Sequence, residues 1–145
     1  MTVRKHLEAR GRQKVVPSEV LLRYWWRRLD AELFHGLREP RRVTVRPMRN
    51  AYAWLRPAKN TVLDEDGHQA LPLPYDLEFD AAPVTRTALI TILVHEMVHA
   101  WEWESGNPPA HGKLFMSWAP AILGTLGLPL TRHYSQQELL DLEPT

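Results

Sequence analysis

Residues 94–104 read VHEMVHAWEWE, and HGKLF follows at residues 111–115 beyond Gly106-Asn107-Pro108-Pro109. His95, Glu96 and His99 form the pattern H-E-x-x-H. On a helix, residues four apart sit one turn apart on one face, so both imidazoles can reach a single zinc ion at about 2.0–2.1 Å. A metal held there lowers the pKa of water and polarises a carbonyl. Glu96 then stands where it can take a proton from that water and hand one to a leaving amine. The chemistry expected is hydrolysis of an amide bond with one Zn2+ per chain. If the pattern were fortuitous, His95 and His99 would be hydrogen-bonded core residues. Burying two imidazoles and a carboxyl on an apolar helix is costly unless each finds a partner, and a metal satisfies them together.

A catalytic zinc keeps three protein ligands and one open position. His111 is the expected third, because the turn at Gly106 to Pro109 lets the chain reverse and Gly112 lets the backbone pass close to the site. Glu102 and Glu104 are its rivals. Glu102 shares the face of His99, but a straight helix carries it about 10 Å along the axis from His95. It is better placed to accept a hydrogen bond from His99 and orient that ring. Glu104 reads as a solvated helix-end residue. His133 and Tyr134 follow the last helical stretch and are candidates to return to the cleft as oxyanion donors or substrate contacts. His6, His35 and His68 belong to no comparable pattern.

The ligands need a rigid platform. Ala88 to Val94 is almost wholly apolar, and a helix from near Pro83 or Thr85 to about Glu104 would run through the core and fix the imidazoles in advance. Gly106, Pro108 and Pro109 end it. A second helical stretch covers Gly112 to about Leu126, with Pro120 able to kink or divide it. Upstream, Ser18 is a plausible cap for a helix from Glu19 to about Leu37, where Leu22, Trp25, Trp26, Leu29, Leu33 and Phe34 recur at spacings of three and four. Val43 and Val45 alternate in a strand at Arg42 to Arg46, and Ala51 to Leu55 is a second strand candidate. Residues 56–70 read as a loop with a turn at Asp66-Gly67. Leu71 to Phe79 is extended, but Pro72 and Pro74 suit an edge or covering strand. The order helix, small sheet, helix, helix indicates an α+β fold. Residues 1–17 read as a basic arm or a short frayed helix, 18–134 as the domain and 135–145 as an acidic tail.

The chain has 145 residues and no cysteine, which excludes disulfides, thiolate catalysis and cysteine-held zinc. Its longest apolar-rich run is too short to span a bilayer, and the basic start leads into no apolar stretch, so a cytoplasmic protein without a membrane partner is expected. The net charge of +1 conceals an asymmetry. Residues 1–60 carry 15 Lys or Arg against 5 Asp or Glu, whereas residues 61–145 carry 3 against 12. Either the halves neutralise each other across the fold, or the basic half meets a polyanion. Candidate nucleic-acid contacts are Arg23, Arg27 and Arg28 on the first helix and Arg41, Arg42, Arg46 and Arg49 near the first strand. Binding of single- or double-stranded DNA through them would be nonspecific and salt-sensitive. Trp25 and Trp26 are able to stack on bases, but their spacing places them in the core first.

The two-part pattern resembles the SprT-like zinc metallopeptidase family, whose H-E-x-x-H is followed after a spacer by H-G-x-x-F or W. Here it falls on His95, Glu96, His99, His111, Gly112 and Phe115. The stretch LLRYWWRRLDAELFHGLREPRRVTV is similar to that family's opening helix and first strand, and Leu126 to Tyr134 to the segment after its last core helix. Metzincin spacing is absent, since Glu102 and Ser105 stand where that group carries Gly and His. The resemblance implies a zincin-like core, three histidine ligands and Glu96 as general base. It also implies a polypeptide substrate, in some members a protein crosslinked to DNA, acted on by what is expected here to be a monomer (nucleoid-associated if bacterial). The cysteine zinc ribbon that many relatives carry has no counterpart in this sequence. Two other readings stand beside this one: a non-proteolytic, zinc-stabilised nucleic-acid-binding module, and a zinc hydrolase acting on a non-peptide amide.

Overall fold

A computed structural model describes residues 1–57 and 75–133 of the chain. The architecture is mixed α+β. Helix α1 (Val3–Arg10) leads into strand β1 (Lys14–Val15), then helix α2 (Glu19–Leu29) and a π-helical turn (Asp30–Phe34). Strands β2 (Arg42–Arg46), β3 (Ala53–Pro57), β4 (Tyr75–Asp80) and β5 (Val84–Thr85) follow, and then helices α3 (Arg86–Glu104), α4 (Lys113–Met116) and α5 (Ala119–Leu126).

Local chemistry sets most of these boundaries. The Ser18 hydroxyl accepts from the Leu21 N–H, and the Thr85 hydroxyl accepts from the Ala88 N–H, so both long helices begin on side-chain caps. The first ends where His35 enters the left-handed region at φ 61° and Gly36 follows at φ 139°. The Asp30 carboxylate accepts from the Gly36 and Leu37 N–H groups, which closes the π turn. Pro120 lies in the first turn of α5, so the stretch from Gly112 to Leu126 is divided into two helices.

Strand β4 occupies the centre of a three-stranded sheet, order β2-β4-β3, with β2 parallel and β3 antiparallel to it. This corrects the expectation of an edge strand. The described strand runs from Tyr75 to Asp80 and is paired on both sides. Pro72, Pro74 and the expected turn at Asp66-Gly67 lie outside the described residues. Strand β3 begins two residues later than expected, with Ala53 and Leu55 inward and Trp54 outward. Tyr75, Leu77 and Phe79 point from β4 into the core, while Asp76, Glu78 and Asp80 line the outer face.

The core lies between the inner sheet face and the helices. Trp25, Trp26 and Leu29 of α2 join Leu89, Ile90 and Leu93 of α3, Phe115 of α4 and Ile122 and Leu126 of α5. Both tryptophans are thereby withdrawn from any stacking role. The basic start is built into this core as well. Val3 and Leu7 are buried, the Val3 N–H donates to Glu32 Oε2 at 2.9 Å, and the Gly11 carbonyl accepts from the Thr87 N–H at 3.0 Å. A Cβ at Gly11 would collide with the Thr87 side chain and the Leu7 carbonyl, so only glycine permits this close crossing. The arm expected over residues 1–17 is therefore a docked helix and a short strand paired with β5. Among the described residues, no helix is long and apolar enough to cross a membrane.

Candidate metal centre

Helix α3 is buried on all sides over most of its length, which follows from its apolar composition between two layers of packing. That burial holds His95, Glu96 and His99 in place. Residues 105–112 then turn back along the helix. Gly106 adopts φ 86°, its N–H donates to the Trp103 carbonyl, and the Asn107 N–H donates to the Glu102 carbonyl. This return brings His111 to the two helical histidines. His111 Nε2 lies 3.1 Å from His95 Nε2 and 3.0 Å from His99 Nε2. The ligand atoms of all three lie within 4.8 Å of one another, a grouping that can hold a metal ion.

The hydrogen bonds behind the rings decide how the nitrogens are used. His95 Nδ1 donates to the Thr131 carbonyl at 3.1 Å, and His99 Nδ1 donates to Glu102 Oε1 at 2.9 Å. Each bond places the ring proton on Nδ1 and leaves the Nε2 lone pair directed at the shared point. With both of those protons on Nδ1, His111 has at most one proton to share between two facing nitrogens, and a cation at the shared point would satisfy all three rings at once. The separations of 3.0 and 3.1 Å are close to the roughly 3.3 Å expected of tetrahedral ligands at about 2.05 Å. Burial pushes His95 down to about 3, aided by His99 and His111, and pushes His99 down to about 4. His111 is also lowered, first by burial. All three rings are thus neutral near pH 7, the form that ligates metal.

Glu102 sits where a partner to His99 was expected, and its role is wider than that. Its carboxylate also accepts from the Ala110 N–H at 3.3 Å, tying the helix to the loop that presents His111. The carboxylate is almost fully buried. Glu104 departs from its expected solvated role: it accepts from the Arg38 N–H and the Tyr75 hydroxyl, and burial raises its pKa.

Glu96 faces a cleft of about 370 Å³ bounded by α3, β3 and residues 109–133. Burial pushes its carboxyl up to about 8, while a hydrogen bond from the Leu55 backbone N–H opposes the shift. Strand β3 lies beside it at the sheet edge, with no strand on its far side among the described residues. Tyr52 and Trp54 line the cleft, whereas Tyr75 is buried in the core. His133 reaches the cleft with its ring 4.9 Å from that of His111, and Tyr134 lies outside the described residues. Sequence reasoning missed Thr131, Arg132 and the Leu55 N–H. Two of these act through backbone atoms, which carry no residue-type signal.

Five of the seven candidate arginines are already engaged. Arg23 pairs with Glu19 at 2.8 Å, Arg27 with Glu39 at 3.1 Å, Arg41 with Asp76 at 3.2 Å and Arg46 with Glu78 at 2.9 Å. Arg28 donates to the Tyr24 hydroxyl and the Met1 carbonyl. The pairs of Arg41 and Arg46 join the basic half to the acidic half across the outer sheet face, which is internal neutralisation. Arg42 and Arg49 have no such partner among the described residues.

No protein-family model, curated protein or solved structure matches this chain.

Proposed function

We propose that this chain is a zinc-dependent endopeptidase with a zincin-like core of the SprT-like kind, acting on polypeptides. The observation that carries the reading is the convergence of His95, His99 and His111 in one cleft with Glu96, beside an open strand edge. Zinc held by the three imidazoles supplies Lewis acidity, lowering the pKa of water and polarising a carbonyl. Glu96 takes a proton from the attacking water and returns it to the leaving amine. Burial raises the Glu96 pKa, and a zinc ion beside it would draw it back down, so the carboxylate form that accepts the proton belongs to the metal-loaded site. Thr131 and Glu102 hold the tautomers, so the rings stay fixed while the proton moves at Glu96. His133, exposed at the cleft wall, is placed to donate to the oxygen on which charge develops.

The edge of β3, unpaired among the described residues, favours an extended peptide over a small non-peptide amide, because main-chain groups there can pair with a substrate strand. DNA-associated proteins form the narrower substrate class in this proposal. Its basis is the charge of residues 1–60, with Arg42 and Arg49 as the candidate arginines that have no acidic partner among the described residues.

The test is Glu96→Gln. Zinc content stays at about one per chain, while hydrolysis of an unfolded protein falls by about 10²–10⁴-fold. Full hydrolysis by the variant would exclude Glu96 as the proton carrier.

A further inference from the structure

Among the described residues, Arg132 is the one lysine or arginine lining the cleft, and Glu96 is the one carboxylate there. The two do not pair. Glu96 is buried under the Leu55 N–H, and Arg132 has no acidic partner among the described residues. Instead, Arg132 Nε donates to the His111 carbonyl at 2.7 Å. That bond fixes the guanidinium beside the third histidine and leaves its two terminal NH2 groups to the cleft. A guanidinium held by Nε offers two parallel donors at its far end, which match the two oxygens of a carboxylate. The cleft is also lined by Tyr52, Trp54 and Ile92, and by Asn50 and the histidines, so beside the three-histidine centre Arg132 is the fixed positive charge, among the described residues, that an anionic group entering the cleft meets. The acidic residues of β4 lie on the outer sheet face, two of them paired with Arg41 and Arg46, and offer Arg132 no competing partner.

Building on the peptidase reading, we propose that Arg132 is a specificity-determining residue that binds a substrate carboxylate next to the scissile bond, on the His111 side of the cleft. The carboxylate has two sources: an Asp or Glu side chain within the chain being cut, or a free C-terminus close to the cut.

One peptide is made in versions that carry Asp, Asn or Lys at each position in turn, with a free or amidated C-terminus. Binding is measured on Glu96→Gln protein, zinc-loaded and metal-free, and kcat and KM on the wild type. At one position, or at the free terminus, the carboxylate version should bind about tenfold more tightly than its neutral counterpart, with the difference in KM. The position that responds tells side chain from terminus. R132E should reverse the preference towards Lys, R132Q should abolish it, and R132K should keep part of it. A purely structural role for Arg132 would alter zinc content without reversing any preference.

Equal binding of all versions by the wild type would overturn the proposal, as would a preference that survives in R132E. So would displacement of the peptides by a short oligonucleotide without any Asp-over-Asn difference, which would make the group a phosphate contact. Glu96-dependent hydrolysis without carboxylate preference leaves the peptidase reading standing and removes this site. Carboxylate preference in binding without hydrolysis does the reverse.

Discussion

On the α3 wall of the cleft, the polar side chains are held from inside the protein: His95 by the Thr131 carbonyl, His99 by Glu102, and Glu96 by the Leu55 N–H. Across the cleft, Trp54, Arg132 and His133 stand exposed on β3 and the 131–133 segment. On the function proposed above, the difference separates two tasks. Groups that hold a metal and move a proton need fixed tautomers and positions, which burial and second partners provide. Groups that meet varied substrates gain from solvent access and from donors left unpaired. The two walls meet through backbone atoms, the Thr131 carbonyl at His95 and the Leu55 N–H at Glu96, while the loop carrying His111 is tied to one wall by Glu102 and to the other by Arg132.

The sharpest way to break the inner wall is Glu102→Gln. The fold should persist, since the amide fills the same space, but metal affinity should fall by about 10–100-fold as His99 and the His111 loop lose a charged acceptor. A chelator-competition titration reads this directly, and an unchanged affinity would show that the carboxylate does not orient the ligands. On the rim, Trp54→Ala should raise KM several-fold with little change in kcat or zinc content. Trp54 lies between the Arg46 and Arg56 guanidiniums, at 5.9 and 4.3 Å, and its removal takes surface from the cleft edge without touching a ligand. A large loss of kcat would mean that the rim takes part in the chemistry and would dissolve the contrast.

The smallest effect belongs to a region outside both walls and isolates the site's own histidines. His6 packs edge-on against Trp25, with ring centroids 4.8 Å apart. Burial, then Arg86, Arg10 and Arg28, hold its pKa below the ordinary 6.5. Below that pH the unfolded chain takes up a proton that the folded chain resists, so stability present at neutral pH is lost on acidification. Thermal melts of the metal-free protein between pH 7 and 5 should show a shallower decline for His6→Gln than for the wild type. Parallel declines would assign all acid sensitivity to the histidines of the metal centre.

Much of the inner wall was legible as pattern. H-E-x-x-H on an apolar run defines one helix face, Ser18 and Thr85 announce their helices, and the Gly-Pro turn before His111 permits the return. These features are local, set within a few residues by helical periodicity, capping and the φ preferences of Gly and Pro. The sheet was less legible. Pro72 and Pro74 argued against a central strand, yet β4 (Tyr75–Asp80) is paired on both sides, because a strand's place in the sheet is set by long-range pairing that local propensity does not report.

By itself, then, the sequence determined the class of elements, the ligand pair with its glutamate, and the excess of positive charge in the first 60 residues. Only the tertiary structure decided that His111 meets that pair, that Glu102 serves both the helix and the loop, and that Arg41 and Arg46 spend their charge on β4. It also placed Arg132 at the cleft with no acidic partner among the described residues. The physical reason is range. A cap or a helix face is settled by neighbours in the chain, whereas a partner dozens of residues away is chosen only when the whole core closes and brings backbone carbonyls and N–H groups, which no residue type announces, to their final places.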